Sequence, residues 1–262
     1  MAKIYYAGDW AIQYGPFYAE SAFHHAVKGT EIVNYGKWLK EAIESTGKHE
    51  VTSVPSWDFY MLGPGEYENI LASYDAVIFS DLEAQNFQLA PSFFKKEKFG
   101  QSVMTYPDRI RLTKEAVQGG LGIMFLGGWQ SFTGHRGMGG WGRCGLKDLL
   151  PVQCLDFEDL VENTEGYTAD VLNPKHPTIN DLDFSSLPPI LGYNEVKPRE
   201  GFEVVAKWAG TDHPLLAAGE IGKGRTLAYT SDPAPHWGLN FVFWEKYNQF
   251  WINIMDWLVK AR

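Results

Sequence analysis

Three groups of residues in this chain have the types and spacing to do chemistry, and each follows a strand-like run. Asp9 ends a β-rich run over 3–8, and Asp81 follows a continuous apolar run over 76–80. Two acids on one sheet edge suit acid–base work, or the holding of a metal or of sugar hydroxyls. Asp is also a common turn and cap residue after strands. The second group is Gly127-Gly128-Trp129-Gln130-Ser131, which follows the buried-strand pattern of 121–127. In many α/β enzymes such a strand carries a nucleophile on a sharp turn before a helix; Gly127 and Gly128 carry none. Backbone N–H groups at a following helix start can bind a carboxylate, phosphate or hydroxyl oxygen, so the expected role of this turn is ligand contact. The alternative is that the glycines only permit positive φ and close packing. Ser131 lacks the G-x-S-x-G setting and reads as a helix cap or ligand contact. The third group is Asp232-Pro-Ala-Pro-His236-Trp237-Gly238. Two prolines stiffen it, which would preorganise His236 and Trp237 toward a pocket. His236 with Asp232 forms the candidate catalytic pair, and Trp237 a candidate stacking surface for a sugar. The alternative is a structural loop whose His bonds backbone.

Other motifs point away from cofactors. His24 and His25 are adjacent, so they point apart, and no H-x-x-x-H or H-E-x-x-H partner exists. No metal is expected. Gly137-Met-Gly139-Gly-Trp-Gly142 fits G-x-G-x-x-G but does not follow the first strand, where a dinucleotide site needs it. No Walker motif occurs, and no cofactor is expected. His135 and Arg136, in the same glycine-rich loop, suit either an anion or solvent.

The elements that must position these groups alternate. A strand over 3–8 is followed by an aromatic segment, 11–35, without clean periodicity. Segments of that length and character are often functional, as walls or lids. Trp38, Leu39, Ala42 and Ile43 recur at helical spacing and Gly47 ends the helix. A strand over 49–54, a helix over 67–73 and the strand over 76–80 follow. After a second irregular stretch, 85–106, a helix over 108–118 precedes the strand over 121–127. This order predicts a mainly parallel sheet with helices on both faces. The second half is more β-like: a strand over 203–207, then a hairpin in which 220–221 and 226–230 flank a Gly-Lys-Gly turn. Trp244, Tyr247, Phe250, Trp251, Ile254, Trp257 and Leu258 mark the strongest helix, with Lys260 and Arg262 favourably placed at its end. No linker or repeat appears, so 1–262 reads as one domain.

Composition narrows the partners. The net charge of −9 repels phosphate backbones and anionic membranes, so nucleic acid and membrane are not expected partners. The two cysteines, Cys144 and Cys154, do not form a C-x-x-C motif and read as reduced thiols of a cytoplasmic protein. The start of the chain enters a strand without an apolar leader pattern. The longest apolar stretch, around 119–129, is short of the roughly 20 residues a spanning helix needs.

The Gly119–Ser131 run and the Gly222–Gly238 run, followed by the Trp-rich terminal helix, resemble the glutamine amidotransferase-like family of the class I glutamine amidotransferase superfamily, with trehalose-utilisation-type proteins as relatives. The resemblance implies a flavodoxin-like three-layer α/β sandwich with a β-hairpin in its C-terminal half. In true class I amidotransferases a cysteine sits at the elbow, and a His with a Glu close behind it comes late in the chain. The elbow falls here on Gly128 and the late His on His236. Asp232, four residues before His236, and Glu245, nine after, do not reproduce the His–Glu spacing. Cys144 and Cys154 lie 16 and 26 residues past the elbow. Glutamine hydrolysis needs a thiolate at the elbow, so no glutaminase activity is expected. The leading expectation is a small polar ligand, a carbohydrate or carboxylate, bound at the carboxyl edge of the sheet by Asp9, Asp81, Gly127, Gly128, Trp129, Gln130, Ser131 and Trp237. Two alternatives stand beside it: a hydrolase or isomerase using His236 with an Asp partner, and a non-catalytic module that assembles as a homo-oligomer.

Overall fold

Along β1 (Ala2–Ala7) side chains alternate between two cores, because successive residues of a strand point to opposite faces. Ile4 and Tyr6 pack with α1 (Lys37–Glu44) and α6 (Tyr247–Leu258). Tyr5 and Ala7 pack on the other side, with α2 (Ser56–Tyr60), α3 (Glu66–Ser73) and α5 (Arg109–Gln118). β5 (Ala76–Phe79) and β6 (Gly122–Leu126) repeat the alternation, with Ile78, Met124 and Leu126 on the first face and Phe79, Ile123 and Phe125 on the second. A sheet covered on both faces needs apolar residues at every strand position, which is why these runs read as continuous rather than alternating. The structure, a computed structural model, describes residues 1–21, 24–95, 97 and 105–259, and of residues 14–21 and 24–28 the backbone alone.

The central sheet has eight strands in the order β4-β1-β5-β6-β14-β13-β12-β9, with β4 (His49–Val54), β9 (Ala169–Val171), β12 (Glu203–Trp208), β13 (Pro214–Ile221) and β14 (Gly224–Tyr229). β4, β1, β5, β6 and β14 are parallel; β13, β12 and β9 extend the sheet antiparallel. Numbered by their own succession, the parallel strands run 2-1-3-4-5, the flavodoxin-like order. The strand order reverses between β1 and β5, the kind of switch point at which open α/β sheets bind ligands as a rule. The expected C-terminal hairpin is β13–β14, which starts earlier than expected, at Pro214, and turns through Gly222 and Lys223. Outside this sheet, β7 (Val152–Cys154) pairs β11 (Val196–Pro198), and β8 (Leu160–Tyr167) pairs β10 (Ile190–Asn194). On α6, Phe250, Trp251, Ile254 and Leu258 are at most 2% exposed, so the aromatic stripe is core, each such side chain contributing roughly 1.5–3 kcal/mol.

Two expectations are corrected. No helix starts at the turn after β6, where residues 128–133 form turns and bends, so Ser131 caps none. Residues 11–35 are not irregular: β2 (Trp10–Ser21) and β3 (His24–Asn34) form an antiparallel arm paired with no other strand among the described residues. Ile12 and Ile32 face each other across it and are 54% and 60% exposed. A ribbon with exposed apolar residues carries no inside–outside alternation, so the periodicity that reveals a strand is missing. Within 85–106, α4 (Ala84–Gln88) and a short turn at Pro91–Phe94 are ordered into structure. The side chains of His24 and His25, and Lys260 and Arg262 entirely, lie outside the described residues.

Candidate functional site

Asp9 and Asp81 lie at the reversal point, just beyond the ends of β1 and β5. Both have left-handed backbones, with φ of 55° and 46°. That conformation costs a non-glycine residue about 1–2 kcal/mol, and Asp tolerates it better than most. The preceding Gly8 is required by close approach: a Cβ there would fall on the carbonyl oxygen of Ser80. Ser80 Oγ donates to Asp9 Oδ1 at 2.7 Å, and the Tyr6 hydroxyl donates to Asp9 Oδ2. The Asp9 carbonyl accepts the N–H groups of Tyr35 and Gly36, which closes the base of the arm beside the site. Asp81 reaches across to the elbow. Its Oδ1 accepts Gln130 N–H at 2.7 Å, and its own N–H donates to Ser131 Oγ at 3.0 Å.

At the elbow itself, Gly128 has φ of 150°. A Cβ on Gly128 would collide with Asp81 Oδ1 and lie 2.9 Å from Asp232 Oδ1. The volume that a cysteine side chain would need is therefore filled by two carboxylates. The Gly128 peptide is clamped by Asn194, at the end of β10. Asn194 Oδ1 accepts Gly128 N–H at 2.9 Å, and Nδ2 donates to the Gly128 carbonyl at 3.1 Å and to Asp159 Oδ1 at 2.9 Å. Asp159 is in turn buried on the N–H groups of Thr133 and Gly134, each at 2.9 Å. Neither Asn194 nor Asp159 sits in a recognisable motif; a polar residue closing an apolar strand was the one available signal for Asn194.

Asp232 follows β14 and completes the cluster. Its Oδ2 accepts the backbone N–H of Trp237 at 3.1 Å, and no bond joins it to the His236 imidazole among the described residues. His236 is exposed, with its ring 5.3 Å from that of Tyr35 at the foot of the arm. The two members of the expected catalytic pair therefore meet through backbone alone. Trp237 is 3% exposed, against Gly192, whereas Trp129 is 49% exposed. Both indoles donate to the same oxygen of Glu162, at 2.8 Å from Trp237 and 3.1 Å from Trp129.

The electrostatics follow from crowding. Burial, and then the charge of Asp81, raise the Asp9 carboxyl well above the usual range, against the pull of the Ser80 hydroxyl. Burial raises Asp81 to about 6, against the Gln130 and Ser131 hydrogen bonds. Burial, then Asp81 and Asp9, raise Asp232 well above its ordinary value. No lysine or arginine pairs with these carboxylates among the described residues. They therefore hold protons more firmly than free carboxyls, and they favour hydroxyl-bearing or positively charged partners over anions. No group of three or more His, Cys, Asp or Glu side chains has metal-site geometry among the described residues. Cys144 and Cys154 are free thiols, and burial raises the pKa of both. Among the described residues no helix is long and apolar enough to cross a membrane.

Known proteins agree with this architecture. The chain superposes on the cytoplasmic protein STM3548 from Salmonella typhimurium with a TM-score of 0.85 at 25% identity, covering 98% of this chain and 99% of that one. It superposes on the cytoplasmic protein STM1381 from Salmonella typhimurium LT2 with a TM-score of 0.84 at 28% identity, with the same coverage of 98% and 99%. A ThuA-like protein from Parabacteroides merdae shares the fold at 10% identity, with a TM-score of 0.54 and coverage of 99% and 90%. No curated protein matches the sequence. The family model described as "Putative glutamine amidotransferase" matches residues 19–260. With its flavodoxin-like sheet and this match over most of its length, this chain belongs to the glutamine amidotransferase-like family.

Proposed function

We propose that this chain is a member of the family without glutaminase activity that binds a neutral, hydroxyl-rich small molecule, a carbohydrate, at the carboxyl edge of its sheet. The observation that carries the reading is the convergence of Asp81 and Asp232 on the point where an elbow side chain would begin. Carboxylate oxygens accept hydrogen bonds from hydroxyls, and such charge-assisted bonds contribute about 1.5–3 kcal/mol each. A carboxylate ligand would add negative charge where burial already pushes protons onto the protein's own acids, which disfavours it. Trp129, half-exposed beside the elbow, supplies the apolar contact that sugar-binding clefts combine with polar groups. The Salmonella relatives are named cytoplasmic proteins, and we extend that location to this chain.

Calorimetric titration at pH 7.5 tests the reading. Neutral sugars are expected to bind, dicarboxylates are not, and Asp81→Asn weakens sugar binding about tenfold or more. Glutaminase activity abolished by Cys144→Ala or Cys154→Ala would overturn it, as would binding of dicarboxylates without sugars. A second reading, acid–base chemistry on the bound ligand, is favoured by Asp81 alone. A carboxyl at about 6 holds and releases protons close to neutrality, as a general acid or base must. A pH–rate profile that loses its acidic limb in Asp81→Asn supports it; an unchanged profile removes it.

A further inference from the structure

We infer that Glu162 is a positioning residue that holds Trp129 as a stacking platform for a pyranose ring, which makes the carboxylate site select cyclic sugars over open-chain polyols. The inference rests on the carbohydrate reading above. Glu162 lies on β8, outside the central sheet, and is itself exposed. Its Oε1 accepts two indole N–H groups at once, at 2.8 Å from Trp237 and 3.1 Å from Trp129. One of the two donors is fixed independently. Trp237 is 3% exposed, its backbone N–H is bonded to Asp232, and a Cβ on Gly192 would lie 2.6 Å from its Nε1. Glu162 is thus anchored on a buried indole and passes that order to a half-exposed one.

Trp129 is restrained at two further points. Its carbonyl accepts the His135 N–H at 2.7 Å, and the His135 ring lies 5.1 Å from its own, tilted by 32°. An indole that is 49% exposed gains little from burial, yet Glu162 and the His135 ring both hold it in place. These restraints serve recognition: a large flat group fixed before the ligand arrives loses little entropy on binding. A flat indole face matches the C–H face of a pyranose and has no counterpart in a flexible alditol with the same hydroxyls. Trp129 follows Gly128 directly, and Gln130 N–H is bonded to Asp81, so stacking and hydroxyl recognition share one short segment.

The experiment pairs a binding test with a ligand-free one. Methyl glycosides of glucose, galactose and mannose are titrated against glucitol, galactitol and mannitol. The wild type is expected to prefer a glycoside over its alditol about tenfold, which corresponds to about 1.4 kcal/mol. Glu162→Leu and Trp129→Ala weaken glycoside binding more than alditol binding and so lose that preference. Glu162→Gln retains it, because an amide oxygen still accepts both indoles. Separately, the indole ¹H–¹⁵N signals of Trp129 and Trp237, assigned by their loss in Trp129→Phe and Trp237→Phe, both shift in Glu162→Leu and hold nearly still in Glu162→Gln. If the wild type binds no glycoside and no alditol, the carbohydrate reading falls and this inference with it. If sugars bind but Glu162→Leu keeps the preference or leaves the Trp129 signal unmoved, the inference alone is refuted.

Discussion

Asp81→Asn is expected to make the protein more stable at pH 7.5 while it weakens the ligand. Burial raises the Asp81 carboxyl from 3.8 to about 6. The folded state therefore binds this proton more tightly than the unfolded chain does. Above the folded value the ionised group must be carried in the fold, at a cost of about 3 kcal/mol for a shift of roughly two units. That cost shrinks as pH falls through the folded value and disappears below the unfolded one. Asparagine carries no charge and keeps an oxygen for the Gln130 N–H, but its own amide hydrogens need partners. The net gain is then about 1–2 kcal/mol, or roughly 3–6 °C in Tm for a chain of this size. Scanning calorimetry of both proteins at pH 7.5, 6.0 and 4.5 reads it as the variant-minus-wild-type difference. Asp159, raised to about 6 by burial, also titrates in this window but is common to both proteins and cancels, whereas Asp9 and Asp232, which the Asp81 charge raises, are relieved in the variant and add to the gain. The difference should be positive at pH 7.5 and approach zero at pH 4.5. A zero or negative difference at pH 7.5, or one that ignores pH, refutes the electrostatic account.

Restoring the elbow thiol by Gly128→Cys should fail: the backbone φ of 150° and the oxygens of Asp81 and Asp232 oppose any Cβ there. The variant is expected to lose about 2–4 kcal/mol and to release no ammonia from glutamine; ammonia release would show that the two acids yield. Asn194→Ala strips a partner from Gly128 N–H, from the Gly128 carbonyl and from Asp159, and should cost about 2–4 kcal/mol; a Tm equal to the wild type would mean that water replaces the amide. Cys144 and Cys154, with thiols raised by burial, should react with a disulfide reagent at pH 7.5 at least about tenfold more slowly in the folded protein than in urea. A fast-reacting thiol in the folded state contradicts their placement.

The parallel sheet was legible because burial on both faces writes itself into composition. Residues 76–79 and 122–126 are apolar or glycine at every position, with small turn residues at their ends, and the helices between them carry the period that their buried faces require. The arm was not legible for the complementary reason. Among the described residues β2 and β3 pair only with each other, so no further strand dictates which of their residues face inward. At the site, Asp232 was read as a partner for His236, whereas Asp9, Asp81 and the elbow glycines were placed on one edge by a single rule, that groups after parallel strands share it. Asn194, Asp159 and Glu162 escaped it. Their roles depend on pairs separated by 25 to 75 residues, as in Gly134–Asp159, Asn194–Gly128 and Glu162–Trp237. No local spacing encodes such contacts. His236 and Asp232, close in sequence, meet through backbone N–H groups, with no side-chain bond between them among the described residues.

Why three acids should stand together without a lysine or arginine partner among the described residues is the question that separates a binding site from a set of turn residues. If Asp81 were only a cap for the Gln130 and Ser131 segment, its hydrogen bonds would be its contribution, and removing the charge would lower stability by about 1 kcal/mol. If instead it is kept ionisable for a ligand, the fold carries its charge at a net cost, and removing the charge raises stability. The two explanations therefore predict opposite signs for the same substitution. The left-handed backbones of Asp9 and Asp81 point the same way, because strain at two adjacent strand ends is a further cost that turn formation alone would relieve with glycine or asparagine. Asp9→Gly tests that independently. It removes one unfavourable φ and one of the charges that raise Asp232. A gain in Tm at pH 7.5 together with weaker sugar binding marks a functional acid, whereas a loss in Tm with binding intact marks a cap.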